Sequence, residues 1–243
     1  MAVSIDRVYQ KVLALANKEQ RGYITPQEFN LFADHAQMEI FEQYFYDLNQ
    51  FKRLPGNSTG HSDMATNLEE KISFFERYDR MAEVTGQYGN VSLSDFSRFY
   101  RLQMVRVDYE TNSGFVVAEE IQLNELQKYG TSPLGGWNKK RPVYTRYTNS
   151  MKVYPYPGPS ASSNDRVLIS YIQKPLNPNW AYVVVNNKPL YNSTSSMDFE
   201  LHASEEAELV YRILALAGIA IEKTQLSQMA ISLGGAQIQQ EKQ

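Results

Sequence analysis

The sequence contains no cysteine, which excludes a disulfide framework, thiolate zinc sites, iron–sulfur clusters and a catalytic thiol. Histidine is scarce, with 3 in 243 residues, and tryptophan scarcer, with 2. His35, His61 and His202 are scattered, with no second histidine near any of them. Each is expected to be an ordinary surface or core residue rather than a ligand or base. Neither sign of charge dominates: Lys+Arg is 24 against 27 Asp+Glu, a formal net charge of −3. Free nucleic-acid binders usually carry a basic excess, because they must replace phosphate counterions. Long apolar runs are missing too. The longest, Ile213 to Ile221, falls well short of the ~18 residues a membrane span needs. Asp6, Arg7, Gln10 and Lys11 interrupt the N-terminal stretch, so no secretory signal and no membrane association are expected.

Reaction motifs are equally sparse. Gly130-Thr131-Ser132-Pro133-Leu134-Gly135-Gly136 lacks the Lys-Ser/Thr ending of a phosphate loop. Glu69-Glu70, Glu119-Glu120 and Glu205-Glu206 are acidic pairs, but adjacent residues cannot flank one scissile glycosidic bond. The last pair fits the charge preference of a helix start. There is no Gly-x-Ser-x-Gly elbow and no His-Glu-x-x-His helix. No catalytic, cofactor-binding or metal-binding residue is assigned, no cofactor is expected, and the chain reads as a non-enzyme.

Aromatic residues are abundant: 17 Tyr and 11 Phe. Tyrosine suits half-wet surfaces and subunit contacts, where the ring packs and the hydroxyl stays hydrated. Trp137, Tyr144, Tyr147, Tyr154, Tyr156, Trp180 and Tyr182 crowd the middle of the chain. They suit either packing within a sheet and against a neighbouring subunit, or a stacking platform for sugar rings or bases.

The pattern along the chain gives the architecture. Ile5, Val8, Val12 and Leu15 repeat at helical spacing. Thr25-Pro26-Gln27-Glu28 combines a capping box with proline at the first helical position. Phe29, Phe32, Ala33, Ala36, Ile40, Phe41, Tyr44, Phe45 and Leu48 then predict a long helix to about Gln50. Residues 55–60 read as a loop, with a short helical turn near Leu68 to Ile72. From about Phe74 the period changes to that of strands, expected at 91–93, 102–107, 142–147, 151–154, 167–172 and 180–185. A short helix is expected at 124–129. Helix returns after Leu201, with Ser204 as the cap and Leu209, Ile213, Leu216 and Ala217 as the buried stripe. A last helix carries Leu226, Met229, Ala230 and Leu233, with a break at Gly234-Gly235. Residues 236–243 are expected to be disordered in a lone monomer. The fold class is α+β. N-terminal helices (1–73) and C-terminal helices with a tail (199–243) form a bundle around an inserted β-rich domain (74–198).

Two segments carry a resemblance. One is Val8-Tyr9-Gln10-Lys11-Val12-Leu13-Ala14-Leu15-Ala16-Asn17-Lys18-Glu19-Gln20-Arg21-Gly22-Tyr23-Ile24-Thr25-Pro26, continuing through Glu28-Phe29-Asn30. The other runs from Asp198-Phe199-Glu200-Leu201-His202-Ala203-Ser204-Glu205-Glu206 to Leu216-Ala217-Gly218-Ile219 and the closing Gln239-Gln240-Glu241-Lys242-Gln243. Tyr171-Ile172-Gln173-Lys174-Pro175 and Pro178-Asn179-Trp180-Ala181-Tyr182-Val183-Val184-Val185-Asn186 match in part. The chain resembles virion structural proteins of crAss-like and related marine podoviruses, among them head–tail connector (tail adaptor) ring proteins.

The resemblance implies a homo-oligomeric ring of about twelve copies. That ring would lie between portal protein and tail at the portal vertex of the virion, after assembly in the host cytoplasm. Its partners would be the portal and other tail or ring proteins, and genomic DNA would pass without specific binding. Mild acidity suits a channel through which DNA slides. Under this reading the contact residues are Tyr44 and Tyr46 on the long helix, Leu226 and Met229 on the last helix, and Ile238, Gln239, Gln240 and Gln243 in a tail that clamps a partner. The alternative is an aromatic-rich carbohydrate-binding virion module at the tail.

Overall fold

Ile5, Val8 and Val12 fall on one side of α1 (Ile5–Ala16) and are all buried there, joined by Tyr9 and Ala16. Leu15, expected on the same stripe, is exposed. At 3.6 residues per turn it sits at the stripe's edge, and Ala16 takes the centre. A computed structural model describes residues 3–16, 24–53, 59–85, 88–109, 114–131, 135–159, 164–220 and 224–241. It contains helices and a large sheet, an α+β fold.

The capping box forms as its residue types require. Glu28 Oε2 accepts from the Thr25 backbone N–H at 2.9 Å, and the Glu28 N–H donates back to Thr25 Oγ1 at 3.3 Å. These bonds, the backbone one foremost, hold the Glu28 carboxyl below its ordinary pKa. α2 (Pro26–Arg53) starts there and buries Phe29, Ala33, Ala36, Ile40 and Phe41. α3 (Thr59–Ser73) is a full helix where only a turn near Leu68 was expected, and it begins inside the expected loop.

Chain contacts separate two units: residues 1–74 with 175–243, and residues 75–174. The first is the helical unit. In it α5 (Glu206–Ala220) packs against α1, α2 and α6 (Thr224–Glu241), while α3 packs on α2. Leu209, Ile213 and Ala217 of α5 are buried as the stripe predicts. A backbone bridge joins Val3 and Phe199, with N–H···O distances of 3.2 and 3.1 Å. Residues 175–198, counted with the insertion in the sequence reading, pack with the helices instead. Buried Gln37 of α2 holds this segment. Its amide donates to the Leu176 carbonyl at 2.7 Å and accepts from the Glu200 N–H at 3.1 Å.

Two local expectations change here. The α5 start is capped by His202, whose side chain accepts from the Ser204 N–H, and a single 3-10 turn (Ala203–Glu205) precedes the helix. Ser204 is therefore not the cap. Nor does Gly234-Gly235 break the last helix or leave residues 236–241 disordered, since α6 continues to Glu241. Each glycine costs a helix only about 1 kcal/mol, and the flanking glutamines and Glu241 are good helix formers. At Gly234 an added Cβ would meet Tyr211 Cβ of α5 at an ordinary 3.8 Å, and at Gly235 it would meet nothing within 4 Å. Gly235→Ala should therefore raise stability by about 0.5–1 kcal/mol, measurable by denaturant unfolding. A loss would mean that something approaches the helix closely at this position.

The second unit is built on an eight-stranded sheet in the order β1-β8-β4-β5-β6-β7-β3-β2. Its strands are β1 (Glu76–Ala82), β2 (Val84–Thr85), β3 (Asn90–Ser92), β4 (Phe99–Asp108), β5 (Val116–Glu120), β6 (Val143–Arg146), β7 (Ser150–Tyr154) and β8 (Arg166–Gln173). α4 (Leu126–Thr131) lies between β5 and β6. The two ends of this order are joined by the chain itself. Ala82 pairs with Val167 in β8, and two residues later Val84 pairs with Val91 in β3. The sheet therefore curls into a barrel-like roll, which leaves few open edges. Alternate residues point inward, among them Val105, Val107, Met151, Val153, Val167 and Ile169, and make one core cluster.

Candidate interaction surface

Within the helical unit, residues 182–191 form a hairpin of β9 (Tyr182–Val185) and β10 (Lys188–Tyr191). Its turn residues Asn186 and Asn187 have φ of 49° and 62°, the two positive values a tight two-residue hairpin turn needs. The cross-strand partners are Tyr182 with Tyr191, Val183 with Leu190, Val184 with Pro189 and Val185 with Lys188. Paired residues share a face. One face thus carries Val183, Val185, Leu190 and Lys188, and the other Tyr182, Tyr191, Val184 and Pro189.

Trp180 anchors the second face. Its ring stacks on Tyr182 at 5.9 Å and on Tyr191 at 5.8 Å, and packs against Tyr9 of α1 at 4.3 Å. Its indole N–H donates to Asp6 Oδ1 at 3.0 Å, and its backbone N–H to Asn30 Oδ1 at 2.8 Å. On the first face Val183 is 51% exposed, Val185 46% and Leu190 53%, and on the second face Val184 is 61% exposed beside the stacked tyrosines.

A groove of about 360 Å³ runs beside α5 and α6. Ala215, Leu216, Ala230 and Ile231 supply its apolar lining, with Glu39 of α2 and Glu208 and Arg212 of α5 at its polar edge. Arg212 is shared among these acids, at 3.1 Å from Glu39 and 2.6 Å from Glu208, and it also bonds Gln43. Burial pushes the Glu208 carboxyl up, against the pull of Arg212. An acid raised in this way holds its proton more tightly folded than unfolded. It favours the fold at low pH, and that contribution is lost as pH rises through its folded value. Deeper in the unit, Lys71 of α3 meets fully buried Glu205 at 2.6 Å and lies 5.8 Å over the Tyr44 ring. The next residue, Glu206, turns to α1 and accepts from Lys11 at 2.7 Å and Arg7 at 3.4 Å. These bonds, Lys11 first, lower its pKa. Both acids stand at the helix start as expected, Glu205 as a buried tie to α3 and Glu206 as a surface tie to α1.

The structure sorts the sequence-derived contact residues. Tyr44 is 5% exposed and belongs to the core, because its position on α2 faces α3 and Lys71; as a surface contact it is corrected. Tyr46 is 63% exposed, its hydroxyl accepting from Gln50 at 2.8 Å. Met229 is 65% exposed on α6. The side chains of Leu226, Ile238, Gln239 and Gln240 lie outside the described residues, as does Gln243. The aromatic set divides: Trp180 and Tyr182 belong to the helical unit, the others to the β unit. Trp137, Tyr154 and Tyr156 form a row at 5.3 and 5.1 Å, which Tyr88 extends at 5.8 Å. Tyr144 is buried, with its hydroxyl donating to Glu120 at 3.2 Å; burial first, and then this acid, push its pKa up to about 12. Among the described residues, no three His, Asp or Glu side chains gather as metal ligands.

The first hairpin strand lies within the strand expected at 180–185, while its partner and the exposed face were missed because Lys188 and Pro189 interrupt the apolar pattern. Compared with known proteins, the sequence matches no family model and no curated protein.

Proposed function

We propose that this chain is a structural component of a phage virion, a ring protein of the head-to-tail connector that lies between portal and tail and lines the DNA exit channel. The observation that carries this reading is the state of the helical unit's surface. A well-packed interior is accompanied by an uncovered apolar hairpin face and by exposed Met229, Ile231 and Leu233 on α6. Exposed apolar side chains clustered on a hairpin face and on one helix suit subunit contacts in an assembly. The resemblance of the α1–α2 and α5–α6 segments to phage virion proteins supplies the setting. The acidic balance of the chain agrees with a wall past which DNA slides.

A second reading, the aromatic carbohydrate-binding virion module, draws on the Tyr88–Tyr156–Tyr154–Trp137 row. Its exposed members Tyr88 and Tyr156 meet edge to face at 82°, not in the shared plane that suits a pyranose ring. The connector is therefore preferred.

The test is to locate the chain in purified particles by mass spectrometry and electron cryomicroscopy. A homo-oligomeric ring at the portal vertex is expected. Peripheral copies with glycan affinity would favour the second reading, and absence from particles would remove both. Tyr46→Asp, on an exposed ring, should leave the fold intact and lower the yield of tailed particles. Normal yields would take Tyr46 out of the interface.

A further inference from the structure

The hairpin face and the α5–α6 groove are both exposed in the single chain. A two-stranded hairpin is marginal in water by itself, and a face of two valines and a leucine gains from cover. Charge decides what covers it. Lys188 is the one charged residue between Tyr182 and Tyr191, and it shares the face of Val183, Val185 and Leu190. Pairing this face with its own copy would bring two lysines together with no acid between them. The groove's edge carries a formal excess of one acid: Glu39 and Glu208 stand against Arg212 among its lining residues, and Glu39 at the rim also meets His35 at 3.2 Å. Its lining is otherwise aliphatic, and its volume is at the small end of ligand-sized clefts.

We propose that the Val183–Val185–Leu190 face of one copy docks in the α5–α6 groove of a second copy, with Lys188 meeting the Glu39 edge. Donor and acceptor are different surfaces, so the contact is heterologous, and repeating it runs head to tail until it closes. This names the lateral contact of the proposed connector ring and rests on that reading for its biological setting. The contact itself is tested on the purified full chain.

The experiment uses two variants that each remove one half of the contact. Val183→Asp with Leu190→Asp spoils the hairpin face, where both side chains are exposed. Gly235→Phe plugs the groove from a helical position where an added Cβ has open space. Wild-type chain should self-associate in sedimentation at concentrations up to about 1 mM, where even a millimolar contact half-forms. Each variant alone should stay monomeric with wild-type circular dichroism. Mixed in equal amounts, the two should give a dimer and nothing larger, because one good hairpin meets one good groove.

A charge exchange gives a second route should the plug fail to fold. Lys188→Glu and Glu39→Lys should each weaken association about tenfold, and the two combined should restore most of it. The proposal falls if wild type is monomeric throughout, if either variant associates like wild type, or if the mixture gives no dimer. Self-association that survives the plug but not the hairpin change would point to hairpin–hairpin pairing and also overturns it. A capped dimer from a chain found absent from particles would sink the connector reading and leave the docking contact standing. A portal-vertex ring indifferent to both variants would do the reverse.

Discussion

Lys71→Met should destabilise the helical unit by about 3–5 kcal/mol, the cost of leaving a buried charge without its partner. Glu205 is 1% exposed, and Lys71 Nζ sits 2.6 Å from its Oε1. Ser204 Oγ donates to the same oxygen at 3.1 Å, but a neutral hydroxyl does not replace a cation. Glu208, one turn along α5, adds a second buried acid nearby. The pair should matter far less when both members go. Lys71→Met combined with Glu205→Gln should recover most of the loss, because the desolvated charge is removed with its partner. Denaturant unfolding followed by the helical circular dichroism signal measures both variants. If the single and the double variant are equally unstable, Lys71 acts through its aliphatic stem and its contact with Tyr44, not through its charge.

Which parts of this fold were legible in the sequence follows from how local their causes are. The α2 start is set by residues three apart, Thr25 and Glu28, and its bonds form as expected. The buried stripes of α2 and α5 follow from spacing alone, as do the inward alternations of β4 and β8. β1 escaped because Glu76-Arg77-Tyr78-Asp79-Arg80 shows no apolar alternation. Its strand conformation depends on pairing with β8, some 90 residues away, and it carries a bulge at Asp79 with φ of 52°. The His202 cap escaped because histidine rarely fills that role. At α6 the glycine pair weakened the local signal, while the neighbouring α5 supplies packing that a local pattern does not contain. Tyr44 and Tyr46 looked alike in the sequence. Two residues on a helix turn a side chain to the far face, and only the position of α3 tells which of the two is covered.

The hairpin surface was illegible for a different reason: its anchor is assembled from separate segments. Trp180 draws on Asp6 and Tyr9 from α1, Asn30 from α2, and Tyr182 and Tyr191 from the hairpin itself. Trp180→Ala should therefore cost about 3–5 kcal/mol, the range for truncating a buried large aromatic. It should also release the hairpin before the helices, because a two-stranded sheet without its platform has little to hold it. Amide hydrogen exchange at Val183 and Leu190, which face each other across the hairpin ladder, should rise steeply in this variant, while exchange in the middle of α2 and α5 changes much less. Trp180→Phe keeps a ring under Tyr182 and Tyr191 but leaves Asp6 Oδ1 without the indole donor, so about 1–3 kcal/mol should be lost. The two substitutions separate stacking from hydrogen bonding. If Trp180→Phe is as damaging as Trp180→Ala, the bond to Asp6 is the anchor. If the alanine variant stays folded with a loss below about 1 kcal/mol, the stacked rings do not hold the hairpin in place. Below its melting point, Trp180→Ala should also fail to self-associate with its helices intact, since docking needs the hairpin face held at a fixed angle to the unit that carries it.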